Sequence, residues 1–123
     1  MNYDTLYEIF INKFKDDEQY FDEKKREYCV NDDDGQHVKF AIIVLPYIVE
    51  KLNSDDEAKL KMIFDFVEQM ENDANEDVQN VANVSILEGI AGEGQELYDK
   101  ARKYMKSKTL SISDEIVKYM DIK

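Results

Sequence analysis

The sequence predicts an all-α protein of five or six antiparallel helices, arranged as a compact bundle or a short HEAT-like α-solenoid. Three observations carry this. Only four glycines and one proline occur in 123 residues, too few for an all-β chain, which turns about every 8–12 positions. Apolar side chains recur at three- and four-residue spacing along most of the chain. Turn-forming residues fall in a few short clusters, so consecutive helices are joined tightly and stack against each other. Residues 1–123 form one helical domain, long enough to bury about two-thirds of its unfolded surface without metals or disulfides.

Leu6, Phe10 and Phe14 recur every four residues, joined by Tyr3, Tyr7 and Ile9. They make an amphipathic first helix with its aromatic side inward. From Asp16 to Glu27 the chain is highly charged, with a narrow apolar stripe at Tyr20 and Phe21. It reads either as a second, mostly exposed helix or as a partly ordered connection. Asn31-Asp32-Asp33-Asp34-Gly35 is a loop, because Asn and Asp cap local backbone groups and Gly permits positive φ.

Between Gln36 and Asn53, Val38, Ala41, Ile42, Leu45, Ile48, Val49 and Leu52 share one helical face. The β-branched run Ile42-Ile43-Val44 would also suit a buried strand. The length of the pattern favours a helix, kinked or started at Pro46. Ser54-Asp55-Asp56-Glu57 reads as a capping box, with Ser54 accepting from the Glu57 N–H and Glu57 reaching back. Leu60, Ile63, Phe64, Val67 and Met70 then form an inward stripe.

Asn75 starts the next helix, with Glu76 and Asp77 in its first turn. Val78, Val81, Ala82, Ser85, Ile86 and Gly89 line one side, widened by Val84 and Leu87. This helix is apolar around much of its circumference and is expected to be central. Gly92 and Gly94 separate it from a helix whose Leu97, Tyr98, Ala101, Tyr104 and Met105 face inward. Thr109 to Ser113 reads as a connector, and Ser113 as the cap of a short last helix carrying Ile116, Val117 and Met120.

Charge bounds the function. Sixteen Lys and Arg stand against twenty-eight Asp and Glu, a net charge of -12. Residues 1–76 hold a net -11 and residues 77–123 a net -1. Such an excess keeps a small protein dispersed. It also makes an electrostatic surface for a cationic partner, speeds encounter with it, and excludes nucleic acid as a direct ligand. The first acidic cluster is Asp32, Asp33 and Asp34; the second is Asp55, Asp56 and Glu57. Tyr20, Tyr28 and Tyr47 are hard to place inward and are candidate interface anchors.

No catalytic, cofactor or metal site is expected. With Gly35 at the sixth position of an EF-hand loop, Val30 falls at the first and Ala41 at the twelfth, where oxygen ligands belong. His37 is the one histidine and reads as a surface or capping residue. Cys29 is the one cysteine, read as a small apolar packing residue. Gly89-Ile90-Ala91-Gly92-Glu93-Gly94 lacks the Lys-Ser or Lys-Thr of a phosphate loop and reads as a helix end. The start has no secretory pattern. The longest apolar run, Phe40 to Val49, is about half of the roughly 20 residues that cross a bilayer. A cytoplasmic protein without membrane contact is the expectation.

Four segments resemble a known family. They are His37-Val38-Lys39-Phe40 leading to Leu45-Pro46-Tyr47-Ile48; Ile63-Phe64-Asp65-Phe66-Val67-Glu68-Gln69-Met70; Asp77-Val78-Gln79-Asn80-Val81 followed by Val84-Ser85-Ile86-Leu87-Glu88; and Tyr104-Met105 with Thr109-Leu110 and Ser113-Asp114-Glu115. In this order they resemble a family of small acidic α-helical bacterial proteins of uncharacterised function. Its members are associated with polymorphic toxin systems, of the contact-dependent inhibition type, as immunity proteins. The resemblance spans most of the chain through packing motifs and brings no catalytic residues. It implies a protein that neutralises a cognate toxin, a basic one such as a nuclease, by stoichiometric binding without turnover. The alternative is an acidic helical adaptor or nucleic-acid mimic that binds a basic host protein.

Overall fold

The computed structural model describes residues 1–120. Seven helices occur among them: α1 (Leu6–Lys13), α2 (Glu18–Glu27), α3 (36–53), α4 (Glu57–Glu71), α5 (76–92), α6 (Gln95–Arg102) and α7 (Ser107–Met120). Short 3-10 turns at Tyr3–Thr5 and Lys15–Asp17 lead into α1 and α2. The all-α expectation holds among the described residues. The helix beyond the expected five or six is α2, whose narrow stripe suffices because Phe21 alone inserts into the core.

Two helices are not α-helical throughout. In α3 the segment Phe40–Val44 is wound as a π-helix, and the Leu45 N–H bonds the Phe40 carbonyl. Pro46 follows directly. Its ring would crowd the carbonyl four residues back in an α-helix, and it has no N–H to give. The wider π turn absorbs both defects, so α3 runs on instead of starting again at Pro46. In α5 the segment Val81–Leu87 is likewise π-helical, closed by the Glu88 N–H on the Asn83 carbonyl. The two π segments pack on each other. Close approach is set by Gly89, where a Cβ would lie 2.6 Å from Leu45 Cδ2.

The core is one contiguous cluster running from Leu6 to Met105 in sequence. Helix α3 touches α1, α2, α4, α5 and α6, and α5 touches α3, α4, α6 and α7. The central place expected for α5 is observed. The inward face of α3 agrees with the expected one at Ile48 and Leu52 and departs from it in the first half of the helix. Phe40, Ile43, Val44, Tyr47, Ile48 and Leu52 are buried, while Val38, Ala41 and Ile42 are exposed. The same segment carries both periodicities, and the stripe with two large aromatic rings removes more area from water. Six rings meet there: Phe10 lies 4.8–6.4 Å from Phe14, Phe66, Phe40, Phe21 and Tyr47.

Helix ends follow their side chains. The Asn75 side-chain oxygen Oδ1 accepts from the Asp77 N–H and caps α5, as expected. The capping box at Ser54 is not formed. Asp56 caps α4 by accepting from the Lys59 N–H at 3.2 Å, and Ser54 donates back to the Lys51 carbonyl of α3. Asp55 takes φ 53 and closes α3, which places the cap one residue beyond it. Gly94, at φ 112, makes the tight turn between α5 and α6. The connector expected at Thr109–Ser113 is helical instead. Glu68 of α4 accepts from the N–H groups of Lys108 and Thr109 and from the Thr109 hydroxyl. This external carboxylate satisfies the first turn of α7, so the helix begins at Ser107 and Ser113 lies buried within it. No helix among the described residues is long and apolar enough to cross a membrane.

Candidate partner-binding site

The first acidic cluster sits on a loop held from several sides. Helix α2 ends where Cys29 takes φ 54 and the Val30 N–H bonds the Lys25 carbonyl at 2.9 Å. The Asp34 carboxylate accepts from the Asn31 N–H at 2.7 Å. Lys25 pairs with the Asp32 carboxylate, and this bond holds its pKa below the ordinary range. Lys39, only 3% exposed, donates to the Asp32 carbonyl at 2.8 Å. Its ammonium also lies 3.8 Å from Glu8 and over the Tyr7 ring. Of the three aspartates, Asp33 is the exposed one with no internal bond among the described residues.

The second cluster divides in the same way. Asp55 pairs with Lys100 at 3.1 Å, Asp56 caps α4, and Glu57 is exposed. The structure adds Asp16 and Asp17 beside it. Lys59 of α4 reaches Asp16 at 2.7 Å and Asp17 at 3.2 Å. The Tyr47 hydroxyl donates to Asp17 at 2.5 Å. Burial works against the Asp17 charge, but the bonds from Tyr47 and Lys59 outweigh it and keep its pKa low. Only tertiary packing brings residues 16–17 to residues 56–59, and the sequence holds no signal for it.

The tyrosines part ways. Tyr47 is fully buried, so it is not an interface anchor. It belongs to the aromatic stripe of α3, whose phase differs from the expected one. Tyr20 is half-buried against Phe21 and Tyr47. Tyr28 is 52% exposed. The Lys24 ammonium lies 5.6 Å from the Tyr20 ring and 5.8 Å from the Tyr28 ring, a cation–π arrangement that gathers both on one side of α2. Replacing Tyr47 with Phe is expected to cost about 1–2 kcal/mol and to release the Asp17 pKa upward. Urea denaturation and an NMR titration of Asp17 check this. An unmoved Asp17 pKa would remove the Tyr47–Asp17 bond.

Helix α2 joins the two clusters. Its N-terminal approach carries Asp16 and Asp17, and its last turn reaches Asp32 through Lys25. Ten residues make a rod of about 15 Å between them. Glu18, Asp22, Glu23 and Glu27 are exposed along that rod. A cleft of about 400 Å³ opens between α1 and α2, lined by Ile9, Ile11 and Phe21, by the carboxylates of Glu8, Glu18 and Asp22, and by Lys15. The result is a mainly acidic surface around α2, interrupted by Lys15 in the cleft and by Lys24, Lys25 and Arg26 in the last turn, with Ile9 and Ile11 as apolar footholds. Such a surface recognises Lys and Arg side chains, whose stems are apolar and whose heads are charged.

The lone histidine has a structural partner and the lone cysteine is exposed. His37 Nδ1 lies 3.0 Å from Ser85 Oγ, so this half-buried ring bridges the two π-containing helices instead of capping one. Cys29 is exposed, not packed, because α2 has ended before it. The chain matches, over residues 7–120, a protein family described as a domain of unknown function (DUF7674). No curated protein and no solved structure matches it.

Proposed function

We propose that this chain, which belongs to the DUF7674 family, is an immunity protein that neutralises a cognate basic toxin by stoichiometric binding in the cytoplasm. The observation that carries this reading is the α2 strip: two acidic clusters, far apart in sequence, joined by one helix. A cationic cleft, such as that of a nuclease, would meet carboxylates where it otherwise meets phosphates. The family resemblance carried by the packing segments supplies the toxin as the partner. We read the body as a bundle and not a solenoid, because α3 is surrounded by five other helices, whereas a solenoid layer meets only its neighbours.

Asp33 and Glu57 suit the test, since neither holds the fold together. The reading expects a toxin gene beside the one for this chain, and reversing Asp33 and Glu57 to Lys, with Glu18→Lys, is expected to slow association with that gene's product at least tenfold at low salt. Stopped-flow rates measured against ionic strength check it. Wild-type association should itself slow as salt rises. An association rate indifferent to both salt and the triple reversal would overturn the reading.

A further inference from the structure

Seven large apolar side chains are exposed among the described residues, and three of them, Val84, Tyr119 and Met120, line a single groove. The groove runs between α5 and α7 and has a volume of about 340 Å³. From α7 it takes Ile112, Glu115, Ile116, Tyr119 and Met120. These stand at i, i+3, i+4, i+7 and i+8, one full stripe of a helix. From α5 it takes Asn80, Asn83, Val84 and Glu88, again at three- and four-residue steps. Ile112 and Ile116 already rest on the core from one side, while Tyr119 is 93% exposed. The stripe spans about 12 Å, room for some two helical turns of a guest.

Nothing in the α2 strip requires this groove, which lies on the near-neutral part of the chain. Among the described residues its charged lining residues are Glu88 and Glu115. A second copy is a poor occupant. Each copy carries a net -12, and the groove lining holds two carboxylates and, among the described residues, no cation, so two copies meeting here would bring like charge together. We propose that the α5–α7 groove docks an amphipathic helix of a partner protein, its apolar side chains on Val84, Ile116, Tyr119 and Met120 and its flanking Lys or Arg side chains on Glu88 and Glu115. An apolar trough with a charged rim is the usual seat for such a helix.

The test uses a synthetic 18-residue helix with a Leu stripe flanked by Lys, added to the ¹⁵N-labelled full chain. Chemical-shift changes should gather on residues 80–88 and 112–120. The exposed-site variant Val84→Asp/Tyr119→Asp should weaken binding at least tenfold, and a peptide with Glu in place of Lys should not bind. The reversal Asp33→Lys/Glu57→Lys/Glu18→Lys should leave the groove shifts in place, which separates this proposal from the reading of the α2 strip. The proposal is overturned by shifts confined to α2, by undiminished binding to the groove variant, or by equal binding of the Glu peptide. Sedimentation showing a dimer dissolved by Val84→Asp/Tyr119→Asp would overturn it as well, giving the groove to a second copy.

Discussion

Replacing Glu71 with Gln is expected to stabilise the protein by about 2–3 kcal/mol at pH 8 and by almost nothing at pH 4.5. Glu71 ends α4 and is 1% exposed. With its amide nitrogen turned inward, Asn83 of the α5 π segment donates to both carboxylate oxygens, a bond that favours the ionised form and opposes the effect of burial. Burial pushes the Glu71 pKa up to about 7 from 4.5, the neighbouring Glu68 charge adds to this, and Lys108 of α7 offsets part of it. The sign follows from the two states. Below pH 4.5 the group is protonated whether the chain is folded or not. Between 4.5 and 7 the unfolded chain releases the proton while the folded one keeps it, so stability falls as pH rises. Above 7 the folded chain carries the whole cost of a buried charge. Glutamine keeps the shape and removes the charge. Urea denaturation at pH 4.5, 6 and 8 reads the difference. A wild-type to Gln gap that does not widen with pH would show that Glu71 is not held neutral by its surroundings. The carboxylates with lowered pKa, Asp17, Glu68 and Asp73, act the other way and cost stability as pH falls through their range.

Truncating Phe10 to Ala is expected to cost about 3–5 kcal/mol, a large share of the about 5–15 kcal/mol that holds a domain folded. Phe10 is fully buried. Its ring contacts aromatic partners from α2, α3 and α4, at Phe21, Phe40, Tyr47 and Phe66. Removing it opens a cavity where four helices meet, and the rigid core cannot close over it. The denaturation midpoint should fall with little change in slope. Helix α2 is held by Phe21 through this same cluster, so hydrogen exchange along α2 should rise more than along α7. A loss below about 1 kcal/mol would mean that the rings do not pack as described.

Features set by one side chain and its near neighbours were legible in the sequence. Asn75 marked the start of α5, the apolar stripe of α4 was read correctly, and the all-helical class followed from glycine and proline scarcity. What depends on competition between two local solutions was not. Residues 36–53 hold two apolar stripes that share Ile48 and Leu52, and choosing the Val38–Ile42 face sent Tyr47 to the surface as a candidate anchor. Ser54 and Asp56 both suit a helix cap, and the left-handed turn at Asp55 decides between them. The start of α7 was hidden because its cap, Glu68, lies forty residues away. The acidic clusters were legible as charge, but the carboxylates that join the second one were not, because the Lys59 contacts to Asp16 and Asp17 exist only once the Lys15–Asp17 turn meets α4. Lys39 and Glu71 look like ordinary surface residues in the sequence, and nothing local marks them as buried.

The buried ammonium of Lys39 has a thermodynamic consequence for the loop above it. Its bond to the Asp32 carbonyl, with the Asp34 turn, removes most of the backbone freedom of that segment when the chain folds. Capture of the loop by another molecule therefore loses little further configurational entropy. Its calorimetric signature should be governed by displaced water and counterions, not by an ordering penalty.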